Sequence, residues 1–189
     1  ARIEAGRVTH AAQVACPLWQ GLDRLDAAFK QAREALGEAP LHAVTMTGEL
    51  SDIFASRAEG VGRLAGMAAA NLDGEVRIYG GRGGWLAHEA AAASADAVAS
   101  ANWHATASWL AGRCGDALFV DMGSTTTDII PVIAGRLAGR GYSDAGRLAA
   151  GELVYTGATR TFLMAVAQRV PFGGAWTPVI NEYFASMAD

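Results

Sequence analysis

Asp121-Met122-Gly123-Ser124-Thr125-Thr126-Thr127-Asp128 is the stretch on which the reading of this chain turns. An apolar run precedes it (Ala117-Leu118-Phe119-Val120) and another follows it (Ile129-Ile130-Pro131-Val132-Ile133). The pattern predicts a strand, a turn and a second strand, with an acid, a glycine and four successive hydroxyl residues at the tip. Such a tip suits a phosphate. Gly123 lets backbone N–H groups approach an anion, and the hydroxyls of Ser124, Thr125, Thr126 and Thr127 add short neutral donors. Asp121 and Asp128 can hold a hydrated Mg2+ against phosphate oxygens. The alternative is a β-hairpin whose turn is merely rich in threonine. Hydroxyls in a row between two acids suit an oxyanion better than they suit turn geometry.

Outward from this stretch, Ala134-Gly135 leads to a strand over 136–140, and helical patterns follow at 144–150 and 158–168. The first half has a similar plan. Strands over 1–4 and 7–14 flank the turn Ala5-Gly6. Leu18, Leu22, Leu25, Phe29, Ala32 and Leu36 recur at steps of three and four, which is one face of a helix stopped by Gly37 and Pro40. A strand over 41–46, a loop over 47–52, a helix over 53–70, a strand over 75–79, a glycine-rich loop over 80–84 and a helix over 95–111 complete it. Alternating strands and helices make the chain α/β. The restart near residue 116 predicts two lobes, 1–115 and 116–189, with a ligand cleft between them. The chain opens at Ala1 already in a strand pattern and stops in a helical pattern at Tyr183-Phe184-Ala185-Ser186-Met187-Ala188-Asp189, so both ends are expected to be cut.

Composition excludes several classes. The chain is 51% hydrophobic and 18% charged, which argues against disorder, and a net charge of −4 offers no nucleic-acid surface. No apolar run is long enough for a membrane span. Cys16 and Cys114 lack metal-type spacing and read as free thiols, which fits a cytoplasmic protein. Trp85, Trp103 and Trp109 read as core or as interface, and a homodimer is compatible with the second reading.

The order DxGxTxTD at the start of a repeated strand–hairpin–helix plan resembles the second phosphate motif of the actin-like ATPase superfamily, in its hydantoinase A/oxoprolinase branch. Three further segments strengthen the likeness: Thr45-Met46-Thr47-Gly48-Glu49-Leu50-Ser51-Asp52, Ala99-Ser100-Ala101-Asn102-Trp103-His104-Ala105-Thr106, and Gly151-Glu152-Leu153-Val154-Tyr155-Thr156-Gly157. With the hairpin they resemble the small hydantoinase-related family of tetrahydromethanopterin-linked C1-transfer pathway proteins, which is similar to the archaeal methanofuran-biosynthesis synthase. The resemblance implies a duplicated ribonuclease H-like fold. It also implies a transferase that joins an aminomethylfuran diphosphate to the phenol oxygen of a tyramine-type amine and releases pyrophosphate with Mg2+. Its partners would be those two small molecules. An ATP-dependent hydantoinase or oxoprolinase-type amidohydrolase, and a non-catalytic ATP-binding module, are the alternatives; both would bring in ATP. The superfamily's first phosphate motif, usually DxGG, has no counterpart here, so the first lobe is expected to lack its opening strand.

Such chemistry needs a base for the phenol, for which Glu49, Asp52, His104 and Glu152 are the candidates, and Asn102, on a helical face near a pocket, is a further candidate catalytic residue. Each has a plainer reading. Glu49 and Asp52 would decorate the first turn of the 53–70 helix, with Thr47 or Ser51 as caps. Asn102 shares a helical face with Ala105 and Trp109, or is a buried amide satisfied by backbone beside an exposed His104. Glu152 lies in a loop that either binds ligand or merely connects elements. Arg160 either pairs with phosphate or makes a surface ion pair.

Overall fold

Two adjacent residues with positive φ, Ala5 (48°) and Gly6 (74°), fold β1 (Arg2–Glu4) back onto β2 (Arg7–His10) as an antiparallel hairpin. A two-residue turn of that hand matches the right-handed twist of paired strands. The computed structural model describes residues 1–181 and 184–189, and the chain divides into two compact units, Ala1–Ala105 and Thr106–Asp189. The class is mixed α/β.

In the first unit, a single 3-10 turn (Leu18–Gln20) precedes α1 (Leu22–Leu36), which stops at Gly37 as its spacing predicts. β3 (Leu41–Val44) leads through a long loop to α2 (Arg57–Asn71) and on to β4 (Glu75–Tyr79), which lies parallel to β3. β5 (Trp85–Ala87) adds antiparallel to β4 and was not expected. The helix predicted from residue 53 begins only at Arg57. Ser56 caps it, accepting the Glu59 amide at 3.1 Å, while Glu59 reaches back to the Ala55 amide at 2.9 Å. This reciprocal capping is stronger than anything Ser51 or Thr47 offers upstream. Val61, Leu64, Ala65 and Ala68 of α2 cluster with Val76 and Ile78 of β4 in the core, which also takes in Met46 just after β3.

The helix predicted over 95–111 is broken into α3 (Ala95–Val98) and α4 (Asn102–Ala111), and the division between units falls within α4. Ser100 sits between them at a φ of 53°, in the left-handed region that side chains other than glycine rarely adopt.

In the second unit, β6 (Ala117–Met122) pairs antiparallel with β7 (Thr127–Ile133), with Asp121 opposite Asp128 and Met122 opposite Thr127. Ala134-Gly135 repeats the turn geometry of Ala5-Gly6 and leads to β8 (Arg136–Leu137), shorter than the 136–140 predicted. α5 (Asp144–Ala150) runs from its Ser143 cap to Gly151 as read from sequence. β9 (Leu153–Val154) returns to pair with the first residues of β7. The helix predicted over 158–168 shrinks to the single turn of α6 (Leu163–Val166). A hairpin, β10 (Arg169–Phe172) with β11 (Ala175–Pro178), follows and was not expected. The predicted terminal helix is absent over 184–189, where Ser186 bridges to Phe162; Tyr183 of that prediction lies outside the described residues.

Candidate functional site

The tip of the β6–β7 hairpin is a two-residue bend, Ser124–Thr125, closed by the Gly123 amide donating to the Thr126 carbonyl at 2.8 Å. The Gly123 carbonyl does not close the turn in return; it accepts from the Ala158 amide at 2.9 Å. The Ser124 carbonyl accepts from the amides of Thr159 (3.2 Å) and Arg160 (2.8 Å). Thr127 donates its hydroxyl to the Thr156 carbonyl at 2.7 Å, and Thr161 donates its own to the Gly157 carbonyl at 2.8 Å. Gly157 lies so close that a β-carbon there would stand 2.5 Å from the Ser124 and Thr125 backbone. The hairpin tip and the 156–161 segment therefore form one rigid body.

Burial grades along the tip. Gly123 and Ser124 are exposed, Thr125 and Thr126 half-buried, and Thr127 buried. Among the described residues, no protein acceptor meets the amides of Ser124, Thr125 and Thr126, and the hydroxyls of Thr125 and Thr126 are equally unengaged. A short run of unpaired amides on an exposed turn can receive an anion. Of the five residues assigned to phosphate, Ser124, Thr125 and Thr126 keep donor capacity toward solvent, while the Gly123 amide is spent on closing the turn and the Thr127 hydroxyl proton is committed to the loop.

Directly opposed residues of an antiparallel pair place their side chains on one face, so Asp121 and Asp128 stand together just below the tip. They differ sharply in surroundings. Asp121 is exposed. Asp128 is mostly buried and pairs with Arg147 at 2.7 Å, and Arg147 is itself only 2% exposed. Arg147 also donates to the Glu152 carbonyl at 2.9 Å. Glu152 is buried and its two carboxylate oxygens accept the amides of Arg140 (2.6 Å) and Gly141 (2.9 Å). These contacts tie α5, β7 and β9 together beneath the tip, and they occupy Glu152 as a brace. Sequence reasoning missed Arg147; its only signal was a single basic residue in a short alanine-rich helix.

No group of three His, Cys, Asp or Glu that could hold a metal occurs among the described residues. One or two carboxylates beside phosphate oxygens is nevertheless the usual protein share of a Mg2+ site, the rest being water. Asp121, with Asp128 beside it, fits that donor set. Surface clefts occur elsewhere, for example along α1, where Asp26, Glu34 and Glu38 face Lys30 and Arg33. Those charges oppose one another and converge on nothing, so the tip remains the better chemical candidate.

A second group of candidates lies in the first unit. Glu49 is 1% exposed. Its Oε1 accepts from the Ser100 amide (2.7 Å) and hydroxyl (3.3 Å), while its buried Oε2 has no hydrogen-bond partner. Gly60 of α2 passes so near that a β-carbon there would lie 2.4 Å from the Glu49 carbonyl oxygen. The acid reading for Glu49 as helix decoration is thus wrong: α2 starts eight residues later, and the carboxylate instead holds the break between α3 and α4. Asp52 is exposed in the same loop. The reading of Asn102 as buried beside an exposed His104 is inverted: Asn102 is exposed and His104 buried. The His104 Nδ1 lies 2.9 Å from the Tyr79 hydroxyl, and the ring packs edge-on against Trp103 at 5.3 Å. The 80–84 loop is a closed turn, Gly80 donating to Gly84 at 2.7 Å.

Burial pushes the His104 imidazole below its ordinary range, and the Arg82 guanidinium pushes the same way. An unfolded His takes a proton near about pH 6.5, whereas the folded one resists it to lower pH. Stability is therefore intact above that value and declines as pH falls toward the folded value. Thermal unfolding from about pH 7.5 down to about pH 5.5 should show a falling Tm, and His104→Gln should flatten the fall. Parallel slopes for the two proteins would assign the acid sensitivity elsewhere.

The sequence model of the hydantoinase/oxoprolinase family matches residues 41–186. The chain belongs to that family. A (4-{4-[2-(gamma-L-glutamylamino)ethyl]phenoxymethyl}furan-2-yl)methanamine synthase of Methanocaldococcus jannaschii is 33% identical over 174 residues, which is 92% of this chain and 52% of the relative. The protein of the same name from Methanococcus vannielii is 44% identical over 72 residues, 38% of this chain and 32% of the relative. The chain thus spans about half the length of the first of these curated relatives. No helix among the described residues is long and apolar enough to cross a membrane.

Proposed function

We propose that this protein is a transferase of methanofuran-type cofactor biosynthesis that joins a furfuryl diphosphate to a phenolic amine. The observation that carries the reading is the locked, donor-rich turn at Ser124–Thr126, supported by the likeness to synthases whose named product contains an aryl–O–CH2–furan ether. In the reaction the C–O bond to the diphosphate breaks, the phenol oxygen bonds to the same carbon, and the phenol proton passes to a base. The actin-like, duplicated arrangement belongs to this proposal, as does small-molecule recognition in place of a macromolecular partner.

The turn's amides and the Ser124 and Thr125 hydroxyls hold the leaving diphosphate and meet the charge that grows on it as the bond breaks. Asp121 is the exposed carboxylate that would bind Mg2+, with Asp128 as its neighbour. Mg2+, when bound, neutralises the pyrophosphate oxygens. Glu152, fully engaged by backbone amides, positions the 139–141 segment.

A second reading, ATP-dependent hydrolysis of a cyclic amide, is favoured by the family model alone. The full-length protein incubated with the furan diphosphate, γ-glutamyltyramine and Mg2+ separates the two. Pyrophosphate release that requires both organic substrates is expected. ATP hydrolysis stimulated by a cyclic amide, with no pyrophosphate release, would replace the proposal by the second reading. ATP binding without either reaction would make the protein a nucleotide-responsive module.

A further inference from the structure

We infer that Arg160 is the fixed cationic arm of the diphosphate site, an inference that rests on the proposed function and names the counter-charge of the same turn. Arg160 donates through its backbone amide to the Ser124 carbonyl (2.8 Å) and through Nη2 to the Ser124 hydroxyl (2.7 Å). Backbone and side chain thus grip the same tip residue, so the guanidinium is held at the turn and not left to sweep the surface. The segment carrying it is fixed too, by Thr161 to Gly157 and by the close seat of Gly157 on the turn backbone.

Among the described residues no carboxylate pairs with this guanidinium, although it is exposed and unlike Arg147 has no buried acid to answer. An arginine on a surface usually finds an acid or stays mobile. Here it is fastened to a hydroxyl, a neutral partner, at the edge of unpaired amides. That is the arrangement expected where the missing charge arrives with the ligand. A planar guanidinium can keep one N–H on Ser124 and offer others to two phosphate oxygens, which an ammonium cannot do with the same geometry. Asp128 is already answered by Arg147, so Arg160 is the cation within this body that is open to an anion.

The role differs from that of a metal. Asp121 would hold Mg2+ beside the phosphate oxygens, whereas Arg160 gives the turn affinity for a diphosphate in the metal's absence and aligns the ligand through its fork. It also binds the diphosphate group rather than the furan, so its ligand class is broad: diphosphates and inorganic pyrophosphate in preference to monoanionic phosphates.

Calorimetric titration of the full-length protein with inorganic pyrophosphate, with Mg2+ and with chelator, tests this. Wild type should bind in both conditions. Arg160→Gln should weaken binding by about tenfold or more, with the larger loss in chelator, and Arg160→Lys should recover part of it. The salt dependence of binding should become shallower in Arg160→Gln. An unchanged thermal unfolding curve is expected for both variants, since the side chain is exposed. Wild-type binding that Arg160→Gln leaves intact overturns this assignment and spares the turn. Absence of pyrophosphate binding by the wild type in either condition overturns the proposed function itself.

Discussion

Arg147→Met should lower the stability of the second unit by about 3–5 kcal/mol, the usual penalty for removing one partner of a buried ion pair. Two things are lost together. Asp128, mostly buried, keeps its charge without the guanidinium at 2.7 Å, and the Glu152 carbonyl loses a donor at 2.9 Å. Urea unfolding followed by tryptophan fluorescence measures the loss. The reciprocal change Asp128→Leu in the Arg147→Met background should restore much of it, because two apolar groups need no partner. A single-variant loss below about 1 kcal/mol would mean that the pair is solvated and is no brace.

Asp121→Asn should reduce turnover by about two orders of magnitude or more while leaving thermal unfolding unchanged. The argument is electrostatic. Asp121 is exposed, faces Asp128 across the ladder and lies two residues from Gly123, so its charge stands near the tip and outside the core. The amide keeps the shape and removes the charge that would hold Mg2+. Raising Mg2+ should recover part of the rate in this variant. Near-normal turnover at ordinary Mg2+ would take Asp121 out of the site. Asp128→Asn is the informative comparison, because it should lower both turnover and stability by loosening Arg147.

Local signals made much of the architecture legible. β4, β7 and α5 follow their apolar patterns closely, and the Ala-Gly pairs mark both tight turns. The hairpin tip was readable because its chemistry is contiguous in the chain. The break at Ser100 was not. Its residues favour a continuous helix, and what stops it is a carboxylate 51 positions earlier that captures the Ser100 amide. The 158–168 helix failed for a related reason: its first residues spend their amides on Gly123 and Ser124 instead of on a helical turn. The start of α2 was misplaced because apolar periodicity continues upstream through Ile53, while the capping pair Ser56 and Glu59 lies inside the pattern.

For the site, residue order alone determined that an acid-flanked row of hydroxyls forms a hairpin turn, since strand pairing and turn formation there depend on neighbours within about a dozen residues. Only the tertiary structure decided which acid is exposed and which is answered by a buried arginine, that His104 and not Asn102 is enclosed, and that Arg160 is fastened to Ser124. Each of those outcomes is set by desolvation and by hydrogen bonds between groups distant in the chain, and neither has a periodicity that a sequence can display.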